Sequence, residues 1–274
     1  MHKIRHILCE LLMMSGVLAL SAGIGVAQEE FRLIPEARFL LGMDWSHQWL
    51  AGEMLIPAGG RPGSGTRLDL DADLGVDQGE ASSVTLEAVI LDNHLLGIDF
   101  LMFSPTGNKR ISRTFSFHNK TYEAGNTIDS RIDFNWLRLS YGYKLWTDPS
   151  WWIAPRAGGH YIGYTVTLNG ETREAGLVSN SRRLDAFYPV LGLEVRYLFP
   201  YGIDLGLELE GVHLITRGFL TMVTLGASWE VYPDIVISLR CSNRLVQYME
   251  DNQPVNNQWF QSMSGVSGGI SFGF

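Results

Sequence analysis

The segment Thr66 to Glu80 carries five carboxylates, Asp69, Asp71, Asp73, Asp77 and Glu80, at positions 1, 3, 5, 9 and 12 of a calcium-loop pattern. A hard cation takes oxygen ligands at such spacing because a tightly wrapped loop turns those side chains toward one point. The glycine needed at position 6 is Leu74 here, with Gly75 one place late, and no helical pattern flanks the run. Leu68, Leu70, Ala72 and Leu74 alternate with the aspartates, as in a strand with one apolar wall. The strand is the preferred reading, with calcium on the five carboxylates as its alternative, and no other cofactor is expected.

A second set of charges recurs at every other position of extended segments: Arg38, Asp44, Glu87, Asp99, Arg138, Lys144, Arg156, Glu194, Arg196, Asp204, Glu208, Glu210, Glu230 and Arg240. Side chains of a strand alternate between faces, so each of these shares a face with Gly, Ser or Thr while the opposite face is apolar. Charges of both signs on one confined face are expected to pair and fill the space between them. Lys109, Arg110, Arg113, Lys120, Arg182 and Arg183 lie in polar connections and suit phosphate groups. The net charge of −8 argues against nucleic acid as a partner.

Ten segments show this two-faced pattern. They are Arg38 to Trp45, Val84 to Ile90, Leu96 to Met102, Leu137 to Leu145, Trp151 to Thr167, Leu191 to Phe199, Ile203 to Glu210, Phe219 to Glu230, Ile235 to Ser242 and Met263 to Phe274. Pro155 weakens the fifth, since proline removes a ladder donor. Tight turns near Asp92, Asp148, Tyr201 and Pro233 alternate with connections over 46–80, 104–127, 168–185 and 246–260 that read as long and polar. Aromatic residues crowd the tight ends: Tyr143, Trp146, Trp151, Tyr197, Phe199, Tyr201, Trp229, Tyr232, Phe272 and Phe274. Amphipathic rings favour the boundary between hydrocarbon and water, so these ends are expected to form an interfacial girdle.

The two ends of the chain agree. Residues 1–27 read as a secretory signal, with Lys3 and Arg5 before an apolar stretch and Gly25-Val26-Ala27 as its cleavage site. The last strand has Val266, Ile270, Phe272 and Phe274 on one face, with Gly or Ser between them. In this pattern and in its terminal phenylalanine the chain resembles small outer-membrane β-barrel proteins of the porin-like and OmpA/OmpW-like kind. The resemblance implies an all-β, closed, antiparallel up-and-down transmembrane barrel over residues 28–274, of ten strands, with eight or twelve as alternatives. It also implies the outer membrane of a Gram-negative bacterium as the location, with lipid, lipopolysaccharide and the barrel assembly machinery as partners. That machinery would be engaged through the last strand and Phe274. The pattern leaves the oligomeric state open.

Outer-membrane hydrolases share this architecture, so their signatures need a test. No histidine is followed two positions later by serine: His47, His94, His118, His160 and His213 precede Trp49, Leu96, Lys120, Ile162 and Ile215. Glu210 and His213, offset by three, belong to opposite faces of a regular strand. No catalytic residues are assigned. The expected role is structural or surface-interacting, around a largely side-chain-filled lumen; a narrow non-selective porin and a lipid- or peptide-modifying hydrolase are the alternatives.

Overall fold

The computed structural model describes residues 37–56, 65–148, 150–173, 175–215, 217–249 and 257–274, so the signal segment lies outside the described residues. The described chain forms β1 (Ala37–Leu55), β2 (Arg67–Asp69), β3 (Gln78–Ile90), β4 (His94–Phe103), β5 (Thr106–Arg110), β6 (Phe115–Phe117), β7 (Lys120–Tyr122) and β8 (Thr127–Tyr143). It continues through β9 (Trp146–Asp148), β10 (Trp151–Thr172), β11 (Gly176–Phe199), β12 (Ile203–Leu214), β13 (Gly218–Tyr232), β14 (Ile235–Met249) and β15 (Gln258–Gly273). Ten of these, β1, β3, β4, β8 and β10 to β15, pair antiparallel in that order, and β15 closes on β1. The backbone bonds between Phe39 and Phe274 run both ways at 3.1 Å and their rings stack at 5.8 Å, which ties the last residue into the seam.

A path along the hydrogen bonds leaves β11 at Leu198 and passes Asp204, Ser228, Ser238, Gly269, Asp44, Ser83, Leu101, Trp136 and Ile162. It meets β11 again at Ala186. Closure with such an offset tilts every strand against the barrel axis.

The strands are longer than the alternating segments predict, and the reason is a reversal of phase. In β11, Leu191, Leu193 and Tyr197 face outward, whereas Leu184, Ala186, Tyr188 and Val190 face inward and are buried, with Arg183 and Asp185 outside. In β8 the same switch falls between Trp136, which is inside, and Leu137, which is outside. Below the switch the outer surface meets hydrocarbon. Above it the outside is polar and the inside is packed like a soluble protein. β10 and β11, at 22 and 24 residues, therefore far exceed the roughly nine to eleven that cross a bilayer.

This corrects the expectation of long polar loops. Residues 168–185 are the top of the β10–β11 hairpin, 46–55 and 78–80 are strand, 246–249 and 258–260 extend β14 and β15, and 104–127 carry β5, β6 and β7. Pro155 fits within β10 because the ladder to β8 begins only at Arg156, opposite Gly142.

Candidate functional site

The lumen has two storeys. In the upper one, buried apolar side chains project from nearly every strand of the ring: Leu50, Ala81, Phe103, Phe134, Tyr164, Tyr188, Leu220, Val246, Trp259 and Met263, with Val212 of β12 packed against them. Phe134, Tyr164 and Trp259 meet at centroid distances of 4.3 to 6.3 Å. Above them the segment from β2 to Val76 folds over the mouth and buries Leu68, Leu70, Leu74 and Val76 against Phe115, Phe117 and Tyr122. Gly107 permits that close approach, since a Cβ there would lie 2.4 Å from the carbonyl oxygen of Leu74.

Beneath this plug lies the charge network. Arg138 binds Glu210 through Nη2 at 2.7 Å and Asp99 through Nη1 at 3.0 Å, and it also bonds Glu208. Arg156 Nη1 bridges Glu194 and, at 3.1 Å, Glu208. Arg196 joins Glu194 at 2.7 Å to Asp204 at 3.4 Å. Three arginines thus share five carboxylates, and the pairs link the contiguous strands β4, β8, β10, β11 and β12. Nearer the short-turn end Arg240 approaches Asp44 at 3.6 Å and Arg38 approaches Glu230 at 3.5 Å, while Glu87 lines the same space. Lys144 departs from the expected network: β8 has ended at Tyr143, and its ammonium lies 5.2 Å from the ring centroid of Trp152.

Two lumen residues that sequence reasoning did not single out complete this storey, one inside the network and one beside it. His160 is fully buried; its Nδ1 accepts the indole N–H of Trp136 at 2.8 Å, so its Nε2 carries the proton and donates to Glu210 at 2.8 Å. Arg244 stacks on Trp136, 5.5 Å from the ring centroid. Parity alone signals both, because His160 follows Arg156 and Arg244 follows Arg240 at even spacing along one face.

A cavity of about 350 Å³ lies within this charged storey, from Arg38, Gly202 and Val236 at the turn end up to Trp136 and Arg244. Its two walls differ. β8 to β12 contribute Arg138, Arg156, Arg196, Glu194, Asp204 and Glu208, whereas β13 to β15 set Arg240, Arg244 and Glu230 among the hydroxyls of Thr224, Ser228, Ser238, Ser242, Ser267 and Ser271.

The five carboxylates of the acidic run are not gathered. Asp69 accepts the N–H of Ala72, Asp73 accepts Arg113 and the N–H of Asp69, Asp71 lies 3.6 Å from Lys109, and Glu80 accepts Trp45 and His47. The backbone of Asp77 accepts from Leu50. Among the described residues no three metal-ligating side chains converge, and these five carboxylates are held apart by their own partners. The strand reading holds only for Arg67–Asp69, because Asp69 to Gly75 form a helical turn closed by Gly75 at φ 70°.

The basic residues also disperse. Lys109 and Arg113 hold the acidic segment, and Arg110 donates to the Gly125 carbonyl. Lys120 is half-buried in β7. Arg182 points into the barrel and Arg183 outward, where it bonds Asp185 and Tyr161, so the two do not act as a pair.

Tyr143, Tyr197, Phe199, Tyr201, Trp229, Tyr232 and Phe274 are exposed at the tight-turn end, with Phe272 and Trp151 partly covered there and Trp146 in β9. Aromatics are not confined to that end. Trp45, Trp49, Tyr161 and Phe187 are exposed toward the opposite end of the apolar band. Glu210 faces the lumen and His213 faces out, so the two do not meet.

Among solved structures, the chain is similar to the outer membrane protease OmpT from Escherichia coli, at 14% identity and a TM-score of 0.54, over 86% of this chain and 97% of that one. It also aligns with Ail, the attachment invasion locus protein of Yersinia pestis (8% identity, 87% and 99% coverage, TM-score 0.37), and with Neisserial surface protein A (13%, 85% and 96%, TM-score 0.34). No family model matches the chain, and no curated protein matches it. At these identities a shared fold is the finding: the chain is built as a bacterial outer-membrane β-barrel, closed by ten antiparallel strands.

Proposed function

We propose that this protein sits in the outer membrane of a Gram-negative bacterium as a sealed barrel, with its plugged, structured end at the cell surface and a structural or surface-interaction role there. The apolar cluster across the upper lumen carries this reading, since about ten strands each direct a buried apolar group to the axis. Such a core leaves no wet path for an ion, and interiors of this kind pack at the density of an organic crystal. The short turns and the terminal Phe274 share the other end, which matches the periplasmic side of barrels with short inner turns. Export through a cleaved signal over residues 1–27 and lipopolysaccharide contact through outward cations such as Arg183 belong to the same proposal.

Planar-bilayer recording tests the seal. The refolded protein should give no conductance steps above the lipid background, while a Phe134→Ala, Tyr164→Ala, Trp259→Ala triple variant should. Steps from the unmodified protein would return the narrow-porin reading. Protease shaving of intact cells, with cleavage at the β10–β11 tip, tests the orientation.

A further inference from the structure

The periplasm-facing cavity contains one arginine that the network does not use. Arg38, Arg138, Arg156, Arg196 and Arg240 each lie within ion-pair distance of a carboxylate, whereas Arg244 has no such partner among the described residues. Its guanidinium is braced by the ring of Trp136, and its buried Nη1 meets no protein acceptor. The guanidinium therefore keeps a hydrogen-bonding capacity that no protein group uses, and an unsatisfied buried polar atom of this kind points to a bound group.

A second unused group lies nearby in the ladder. Gln48 of β1 pairs with Gly265 of β15, which pairs with Ser242 of β14, two residues below Arg244 on the same face. The Gln48 side chain crosses the space over Gly265, where a Cβ would lie 2.3 Å from its amide atoms. Its Nε2 donates to Ser46, and its buried Oε1 meets no protein donor. The roof of the cavity therefore offers a cationic donor fork and an unused acceptor, above a hydroxyl-lined wall.

We propose that this roof binds a small carboxylate whose α-substituent is a hydrogen-bond donor, a 2-hydroxy or 2-amino acid. The carboxylate would take the fork of Arg244, as planar bidentate recognition favours. The α-hydroxyl or α-ammonium would donate to Gln48 Oε1. The rest of the ligand would lie along Thr224, Ser242 and Ser267. Dianions are disfavoured, since the cavity lining already holds Asp44, Glu87, Asp99, Glu194, Asp204, Glu208 and Glu230 against six arginines. The volume, about 350 Å³, is in the range of small-molecule sites. Because the apolar plug closes the other side, the ligand would enter and leave from the periplasmic mouth. The proposal rests on the sealed-barrel reading only for that direction of entry.

Calorimetric titration of the folded protein in detergent with lactate, L-serine, acetate and ethanolamine tests the site. Lactate and serine should bind saturably, acetate about tenfold more weakly, and ethanolamine not at all. Arg244→Gln should abolish the heat of lactate binding. Gln48→Glu keeps the size of the side chain but places an anion beside the carboxylate, and should weaken lactate about tenfold or more; it serves even if Arg244→Gln fails to fold. Absence of saturable lactate and serine binding, equal binding of ethanolamine, or lactate binding indifferent to both substitutions would overturn the proposal. A conducting barrel with intact lactate binding would defeat the seal and leave the site standing, so the two failures are separable.

Discussion

The upper and lower storeys of the lumen are enclosed by the same ten strands, yet they solve the problem of a crowded interior by opposite chemistry. Above the switch of phase, Phe134, Tyr164, Tyr188 and Trp259 fill the space with rings, and the outside is polar. Below it, Arg138, Arg156 and Arg196 fill the space with ion pairs, and the outside is apolar. The difference follows from what each outer face meets. A strand alternates, so where hydrocarbon demands the apolar row the lumen receives the polar one, and where water covers the outside the order is free to invert. The plug is thus a soluble-type core standing on a membrane-type base.

The largest test of this contrast is in the base. Arg138→Met would leave Glu208, Glu210 and Asp99 buried around one missing cation, and removing one partner of a buried pair costs about 3–5 kcal/mol. Urea unfolding in lipid vesicles should read a loss of that size. Replacing the cluster together, as Arg138→Met with Glu208→Gln and Glu210→Gln, should recover most of it, because the desolvation of the charges is removed along with their attraction. A triple variant as unstable as the single one would show that the ion pairs, rather than their unpaired remnants, hold the base.

In the plug the corresponding change is Phe134→Ala, for which lost burial and the cavity left behind predict about 3 kcal/mol. No compensating second substitution should exist except one that restores volume. If Phe134→Ala with a nearby Leu101→Phe recovers stability while Phe134→Asn does not, the upper storey is held by packing as proposed.

The sequence made the lower storey legible and the upper one only in part. Leu137, Leu139, Tyr141 and Tyr143 announce a strand because the apolar row and the Arg138 row separate cleanly. Ile128, Ile132, Phe134 and Trp136 form an equally clean row on the other face of the same strand. A reader expecting one phase per strand stops at the join, where Trp136 and Leu137 are both apolar. The same join at Val190–Leu191 made the top of β11 resemble a loop. Arg244 was hidden for a related reason, since it continues the Arg240 row one step past the assigned segment, whereas His160 lies inside its segment and shows a role only once Trp136 and Glu210 are brought beside it. The acidic run misled differently, since its aspartates answer to Arg113, Lys109 and local N–H groups that are distant or invisible in a linear motif.

The acidic segment also gives the comparison a pH axis outside the membrane. Burial pushes the Asp73 carboxyl up, but the hydrogen bonds from Arg113 and from the Asp69 N–H outweigh it and hold the group below its ordinary value of 3.8. A depressed folded value means that the contribution is fully present above the unfolded value and is lost as the pH falls through the folded one. Hydrogen exchange should therefore show the Asp69 and Gly75 amides protected at neutral pH and opening below about pH 4, while amides of β8 under the plug stay protected. Asp73→Asn should open the segment at every pH by roughly 1–2 kcal/mol, the worth of charge-assisted bonds to a mostly buried carboxylate.

The smallest effect is expected on the outer surface of the upper storey. Arg183 is exposed and bonds both Asp185 and the Tyr161 hydroxyl, an arrangement that solvent screens strongly. Arg183→Ala should leave the unfolding free energy unchanged within the error of a denaturation curve, far below the effect in either storey of the lumen. Its consequence lies elsewhere if lipopolysaccharide phosphates meet the barrel at this height: binding of the folded protein to lipopolysaccharide-containing bilayers should weaken and lose part of its salt dependence. Unchanged salt dependence would mean that Arg183 is committed to Asp185, and that the polar outside of the plug is matched to water rather than to an anionic surface.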